Sequence, residues 1–194
     1  MYTPEQNALK QVDVFNADDR IDIKLLENSV FFLTGEIEEQ TIADCIRWIT
    51  YENLSQTDNK LLTLYVNSYG GDLYQAFALI DMMRNSRHPI RTIGIGAVMS
   101  AAFLIFASGT QGERIVAKNT GIMCHQYSDE VEGKHHDLKA SLKEGENCNR
   151  KMLEILTNAT GLTTARVRAR LLKETDVYLT VQEAVDLGVA DHIL

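Results

Sequence analysis

Ile93-Gly-Ile-Gly-Ala-Val-Met-Ser100-Ala-Ala-Phe-Leu-Ile-Phe-Ala107 is the most apolar stretch of this 194-residue chain. Its glycine-bearing first half predicts a strand and a turn. Its second half predicts a buried helix that opens at Ser100. A hydroxyl in such a run needs a partner or a task, because an unpaired buried polar group costs free energy. The run is also shorter than the roughly 20 apolar residues a membrane span requires.

Reading outward from this stretch, strand and helix signals alternate on both sides. Val30-Phe-Phe-Leu-Thr34 predicts a strand closed by Gly35, and Ile42, Cys45, Ile46 and Ile49 mark a helix over Glu38 to Leu54. Leu61 to Val66 predicts a second strand, and Asp72 caps a helix that turns Ala76, Leu79, Ile80 and Met83 inward. His88-Pro89 ends that unit before a third strand at Arg91 to Ile95. Downstream, short strands are expected at Arg114 to Ala117 and Ile122 to His125, followed by a charged segment from Ser128 to Lys134. A long helix from Leu138 to Thr160 stops at Gly161, and Thr163 or Thr164 caps another that ends near Lys173. A strand at Val177 to Thr180, a capping box at Thr180-Val-Gln-Glu183 and a last strand from Val189 close the chain. No internal repeat appears. The pattern predicts one α/β domain over residues 29–194 with a largely parallel sheet, preceded by an N-terminal arm over residues 1–28.

Composition narrows the classes. With 45% hydrophobic and 24% charged residues the chain reads as globular. A net charge of −8 argues against a nucleic-acid partner. Arg166, Arg168 and Arg170 read as a solvated helix face. Cys45, Cys124 and Cys148 are an odd number with no zinc spacing, which points to a reducing, cytoplasmic setting. The first residues, Met1-Tyr-Thr-Pro-Glu-Gln, lack the charged-then-apolar order of a signal peptide, and no membrane partner is expected.

The chemistry-bearing residues are spread along the chain. Ser100, if it opens a helix, lies beside unpaired N–H groups and the positive end of the helix dipole. The N–H of Ala101 is then a candidate oxyanion donor. The plainer reading of Ser100 is an N-cap. Gly70-Gly71, after a strand, lets a backbone approach closely and offers the N–H of Gly71 as a second donor, or is simply a turn. His125 ends a short strand and is a general-base candidate or a core histidine. Cys124 should point to the opposite face, so a Cys124–His125 dyad is not expected. His135 and His136 read as surface residues and His88 as structural. Asp176, before a strand, could orient an imidazole or cap a turn. Nucleophile, base, acid and paired N–H donors together point to a serine peptidase.

Five segments then carry a resemblance. Val66-Asn-Ser-Tyr-Gly-Gly71, Gly96-Ala-Val-Met-Ser100-Ala-Ala, Gly109-Thr-Gln-Gly-Glu-Arg114, Met123-Cys-His125-Gln126 and Tyr178-Leu-Thr-Val-Gln-Glu-Ala-Val-Asp-Leu-Gly188-Val-Ala-Asp resemble, in order, the proteolytic subunit of Clp protease. The resemblance spans about Asp22 to Leu194. It implies a crotonase-like α/β fold with a projecting strand–helix handle at about residues 126–160. It implies Ser100 as nucleophile, His125 as base and Asp176 as orienting acid, with oxyanion N–H groups from Gly71 and Ala101. Substrate would pair as an added strand between Gly70, Gly71, Asp72 and Leu73 on one side and Gln126 and Tyr127 on the other. It further implies two stacked seven-membered rings of this chain, unfolded polypeptide substrates, an ATP-dependent (AAA+) unfoldase as partner, and neither metal nor other cofactor in the peptidase itself.

The sequence departs from that pattern in places. Tyr69 stands where the family has proline before the glycine pair. Ala101 replaces a common methionine, which predicts a wider specificity pocket. Asp129, Glu130 and Glu132 crowd the handle turn and would repel across a ring interface unless offset by Lys134, His135 or His136, so handle packing is expected to depend on pH or on partners. Glu174-Thr175 precede Asp176 where an Asp-Arg pair usually bridges rings. Two other readings share parts of this pattern: a non-catalytic ring subunit, and an acyl-CoA enzyme of the crotonase superfamily.

Overall fold

The computed structural model describes residues 17–55 and 60–194. Helix α1 (Ala17–Glu27) leads into strand β1 (Val30–Ile37). Helix α2 (Glu39–Leu54), strand β2 (Leu62–Gly71) and helix α3 (Leu73–Arg84) follow. Strand β3 (Ile90–Met99) runs into helix α4 (Ala101–Ala107), followed by strands β4 (Arg114–Val116) and β5 (Gly121–Cys124). The long helix α5 (His135–Thr160), helix α6 (Thr164–Arg170), strand β6 (Val177–Leu179), helix α7 (Val181–Asp186) and strand β7 (His192–Ile193) complete the chain.

The seven-stranded sheet has the order β1-β2-β3-β4-β7, with β5 branching from β3 and β6 pairing β5. Every pairing is parallel except β5 with β6. The expected α/β class with a mostly parallel sheet wound with helices is the observed one. Helix α4 is buried along its whole length, Ala101 through Ala107, against the sheet. That is why its sequence is apolar all round rather than on one stripe.

Strand β3 is longer than expected, and the difference matters for the site. The predicted turn at the glycines is a kink within one strand. Before it, Thr92–Gly94 pairs β4; after it, Ala97–Met99 pairs β5. The β2–β3 register also shifts there, between Val66 and Ser68. At the kink Gly96 has φ +61°, and a Cβ on it would meet Asn67 Oδ1 at 2.4 Å. Glycine alone suits both the sign of φ and the space. Asn67 Oδ1 instead accepts the N–H of Ala97 at 3.0 Å, repairing the interrupted ladder. Gly35 likewise falls at a bulge inside β1 rather than at its end.

Caps behave as the sequence indicates. Asp72 accepts the N–H groups of Tyr74 and Gln75, Thr180 and Glu183 form a capping box, and Gly161 ends α5 in the left-handed region. Part of the expected N-terminal arm is helix α1, which buries no side chain; residues 1–16 lie outside the described residues. The segment from Gln126 to Gly133, expected as the strand part of the handle, forms no ladder among the described residues. Arg114, 2% exposed, ties the C-terminal half together. It makes a forked pair with Asp191, at 2.6 Å and 2.9 Å, and donates to the carbonyls of Ala107 and Ala159. No helix among the described residues is long and apolar enough to cross a membrane.

Candidate active site

The two branches of the sheet around β3 bring Ser100 and His125 together. Met99 pairs Met123 in the parallel β3–β5 ladder, and the N–H of Ser100 continues it to the carbonyl of Met123 at 2.9 Å. Strand β3 ends at Met99 and β5 at Cys124, one residue before Ser100 and His125. Ser100 Oγ lies 2.7 Å from His125 Nε2. With the ring proton on Nδ1, the hydroxyl donates to Nε2.

The plainer reading of Ser100 as a helix cap does not describe what its hydroxyl does. Ser100 occupies the N-cap position of α4, yet its side chain makes no capping hydrogen bond. Its backbone adopts φ 54° and ψ −123°, a region costly for any residue with a Cβ. Strain of this kind is worth of order 1–3 kcal/mol and persists only where the surroundings impose it. Here β3 and α4, both buried, hold the turn and point the hydroxyl away from its own helix. Ala101 is the first residue of α4, so its N–H has no partner within the helix.

Gly70 backs the nucleophile. Its φ is +109°, and a Cβ there would lie 2.7 Å from Ser100 Cβ and 3.1 Å from Ser100 Oγ. Beside it, Gly71, Asp72 and Leu73 line a cavity of about 350 Å³ that also holds Ser100, Ala101, His125, Gln126 and Tyr127. Residues from both expected substrate-flanking segments thus share one cleft with the Ser–His pair. Two backbone donors in those segments are already engaged: Asp72 N–H with the carbonyl of Ile37 at 2.7 Å, and Tyr127 N–H with Asn149 Oδ1 at 2.8 Å. The Gln126 side chain donates to the carbonyl of Leu172 at 3.0 Å, which anchors the segment leading to Asp176.

Asp176 is placed by register. In the antiparallel β5–β6 ladder Ile122 faces Leu179, Met123 faces Tyr178 and Cys124 faces Val177. His125 and Asp176 are the next residues beyond the last pair of that ladder, and no hydrogen bond or ion pair joins them among the described residues. The carboxylate is exposed and makes no hydrogen bond among the described residues. Ser100 and His125 are therefore bonded to each other, and neither is bonded to Asp176. Cys124 is buried on the other face, as strand alternation requires, and burial pushes its thiol up to about 12. It stays a neutral thiol and takes no part in the pair.

The cavity also contains residues that the sequence did not single out: Tyr74, Ser128 and Met152. Tyr74 carried a usable signal, since it follows the Gly-Gly turn and its cap by two positions. Met152 carried none, because it reaches the cleft from the far half of α5.

A hydroxyl bonded to an imidazole at the mouth of a buried helix, within a cleft, is an arrangement that serine hydrolases use. A family model described as Clp protease matches residues 16–194, nearly the whole chain, and the chain belongs to that family. Serine peptidase chemistry is what that family implies in general.

Proposed function

We propose that this chain is a serine endopeptidase acting on unfolded polypeptides through an acyl-enzyme. The observation that carries the reading is the 2.7 Å contact between Ser100 Oγ and His125 Nε2, made by a serine that leaves its own helix uncapped. Ser100 Oγ attacks the peptide carbonyl carbon while its proton passes to His125 Nε2. The carbonyl oxygen, now an anion, is held by the N–H groups of Gly71 and Ala101. His125 returns the proton to the leaving amine as the C–N bond breaks, which leaves an ester on Ser100. Water, deprotonated by His125, then attacks that ester, and His125 returns the proton to Ser100 Oγ as the acyl C–O bond breaks. Asp176 orients the imidazole and balances its transient charge; its place next to Val177, which pairs with Cys124 beside His125, supports this role. Apart from that water, the reaction as proposed uses only side chains and backbone of this chain.

The assembly reading is a further part of the proposal. Two stacked seven-membered rings would enclose the clefts, an ATP-dependent unfoldase would supply the chains, and the particle would work in the cytoplasm. Support comes from the N-terminal half of α5 and the segment before it, the expected handle. Val131, Leu138 and Leu142 are 41%, 38% and 69% exposed there and line an open, largely apolar cavity of about 480 Å³. Exposed apolar surface of this kind is a mark of contact with another chain.

Fluorophosphonate labelling and peptide cleavage test the chemistry. Wild type should be labelled on Ser100 and should cleave an unstructured peptide. Ser100→Ala should lose both. Equal labelling of the two proteins would overturn the assignment.

A further inference from the structure

Strand β5 ends at Cys124, and its last ladder pair is Cys124 with Val177. His125 is the next residue. From there to Lys134 the chain forms no ladder among the described residues, so the sheet holds the base from one side only. Backbone N–H groups beyond the sheet still need acceptors, because one left bare away from water costs free energy. Tyr127, two residues past His125, is half-buried, and its N–H donates to Asn149 Oδ1 at 2.8 Å across 22 positions. Of the two amide groups only the oxygen accepts, so this bond fixes which way the Asn149 side chain is turned.

Asn149 lies inside α5, and a helix interior is a poor place for asparagine. Its side chain competes for nearby backbone groups, and alanine or leucine forms helix better. Here the amide serves another segment instead. Gly145 stands one turn earlier on the same face of α5. The Tyr127 ring rests there, and a Cβ on Gly145 would lie 3.4 Å from its Cδ1. Main chain and ring of Tyr127 are thus both seated on α5. A second bond steadies the same stretch, from Gln126 Nε2 to the carbonyl of Leu172 at 3.0 Å. Helix α5 also meets the cleft at Tyr74 of α3, whose Oη donates to Glu144 Oε1 at 2.5 Å. That contact does not involve the segment after His125.

The consequence falls on His125. Its backbone is set on one side by the Cys124 pair and on the other, two residues on, by Asn149. Its ring must meet Ser100 Oγ at 2.7 Å. Without the Asn149 bond the chain past Cys124 is free to pivot, and a displacement near 1 Å at the reacting atoms costs about 100-fold in rate.

We infer that Asn149 is a positioning residue for the acyl-transfer reaction: by accepting the N–H of Tyr127 it fixes the backbone just past His125 and so keeps the imidazole on Ser100 Oγ. This rests on the endopeptidase reading. The bond acts on the base rather than on the peptide, so its loss falls on kcat. Asn149 and Gly145 also line the open cavity of the handle, so particle size is followed in the test.

Wild type, Asn149→Ala and Asn149→Asp of the full chain are compared for kcat and KM on an unstructured peptide, for the rate of labelling by a small fluorophosphonate, and for sedimentation. Asn149→Ala removes the acceptor and improves helix propensity, so α5 itself is not weakened. It should lower kcat about 10- to 100-fold with KM nearly unchanged, and slow labelling by a similar factor. Labelling discriminates because it needs the Ser–His pair but no bound strand. Asn149→Asp keeps an oxygen acceptor at the same reach and should bring both rates back to within about 3-fold of wild type. Should Asn149→Ala fail to fold, Asn149→Leu, of similar size and without an acceptor, takes its place. Four results, each alongside Ser100-dependent cleavage by wild type, overturn this inference alone: labelling of Asn149→Ala as fast as wild type, an effect confined to KM, no recovery in Asn149→Asp, or a loss of rate seen only with a changed particle size. A wild type that cleaves nothing, or cleaves without Ser100, overturns the endopeptidase reading and this inference with it.

Discussion

At Ser100 the backbone sits at φ 54°, where a Cβ is unwelcome, and the hydroxyl serves His125 instead of its own helix. Strain accepted at a reactive side chain should be recoverable by removing that side chain. Ser100→Gly should therefore be as inactive as Ser100→Ala but more stable than it, by about 1 kcal/mol. Urea unfolding of the two inactive variants reads this directly; equal midpoints would mean the turn is not strained. Gly70 offers the converse test. Gly70→Ala puts a methyl group 2.7 Å from Ser100 Cβ, and the Ser100 turn must shift to accept it. Cleavage should fall by about 100-fold or more, since displacements near 1 Å at the reacting atoms cost that much. A third expectation concerns the neighbouring thiols. Burial raises the pKa values of Cys45, Cys124 and Cys148, so all three remain protonated near neutrality. The folded protein should resist iodoacetamide at about pH 8, whereas the urea-unfolded chain alkylates three times, as intact mass would show.

Among the elements, the C-terminal strand is tied to the core by Arg114 and Asp191. Burial alone would raise the Asp191 carboxyl, but the hydrogen bonds from Arg114 outweigh it and hold the group below the usual range. A depressed carboxyl stabilises the fold above its unfolded value, about 3.9, and that contribution is lost as pH falls through the lower folded value. Asp191→Asn leaves the Arg114 guanidinium buried without its counter-charge and should cost about 3–5 kcal/mol at neutral pH. It should also remove part of the acid-induced loss of stability below about pH 4. A thermal-melt series against pH checks both; parallel curves for wild type and variant would contradict the linkage. Elements such as α2, α3, α5 and α7 were legible because their apolar spacing and caps are local facts. The extra length of β3 was not, since its glycines signal a turn until Asn67, from another strand, supplies the bond that lets the strand continue.

For the whole molecule, the question is what covers the exposed side of α5. If the handle packs against another copy, Leu142→Asp should shift the sedimentation coefficient from that of a large particle to that of a smaller one. The Ser100–His125 contact lies elsewhere on the chain and should survive. A monomeric wild type would remove the assembly reading and leave the site chemistry standing. Repeating the measurement from about pH 6 to 9 shows whether His135 and His136 offset the acidic turn at Asp129, Glu130 and Glu132; a constant size would count against that.

By itself the sequence determined the α/β alternation, the buried helix after Ser100, the capped helix starts, and the separate residues able to carry acyl-transfer chemistry. Each of these is written in short-range pattern, where propensity and periodicity act within a few residues. Only the tertiary structure decided that the Ser100 hydroxyl leaves its helix for His125, that the strands before His125 and after Asp176 pair with each other, and that Tyr74 and Tyr127 both rest on α5. Those outcomes depend on which strands pair and how a long helix lies across them, and pairing is settled by the burial of the whole core rather than by any one segment.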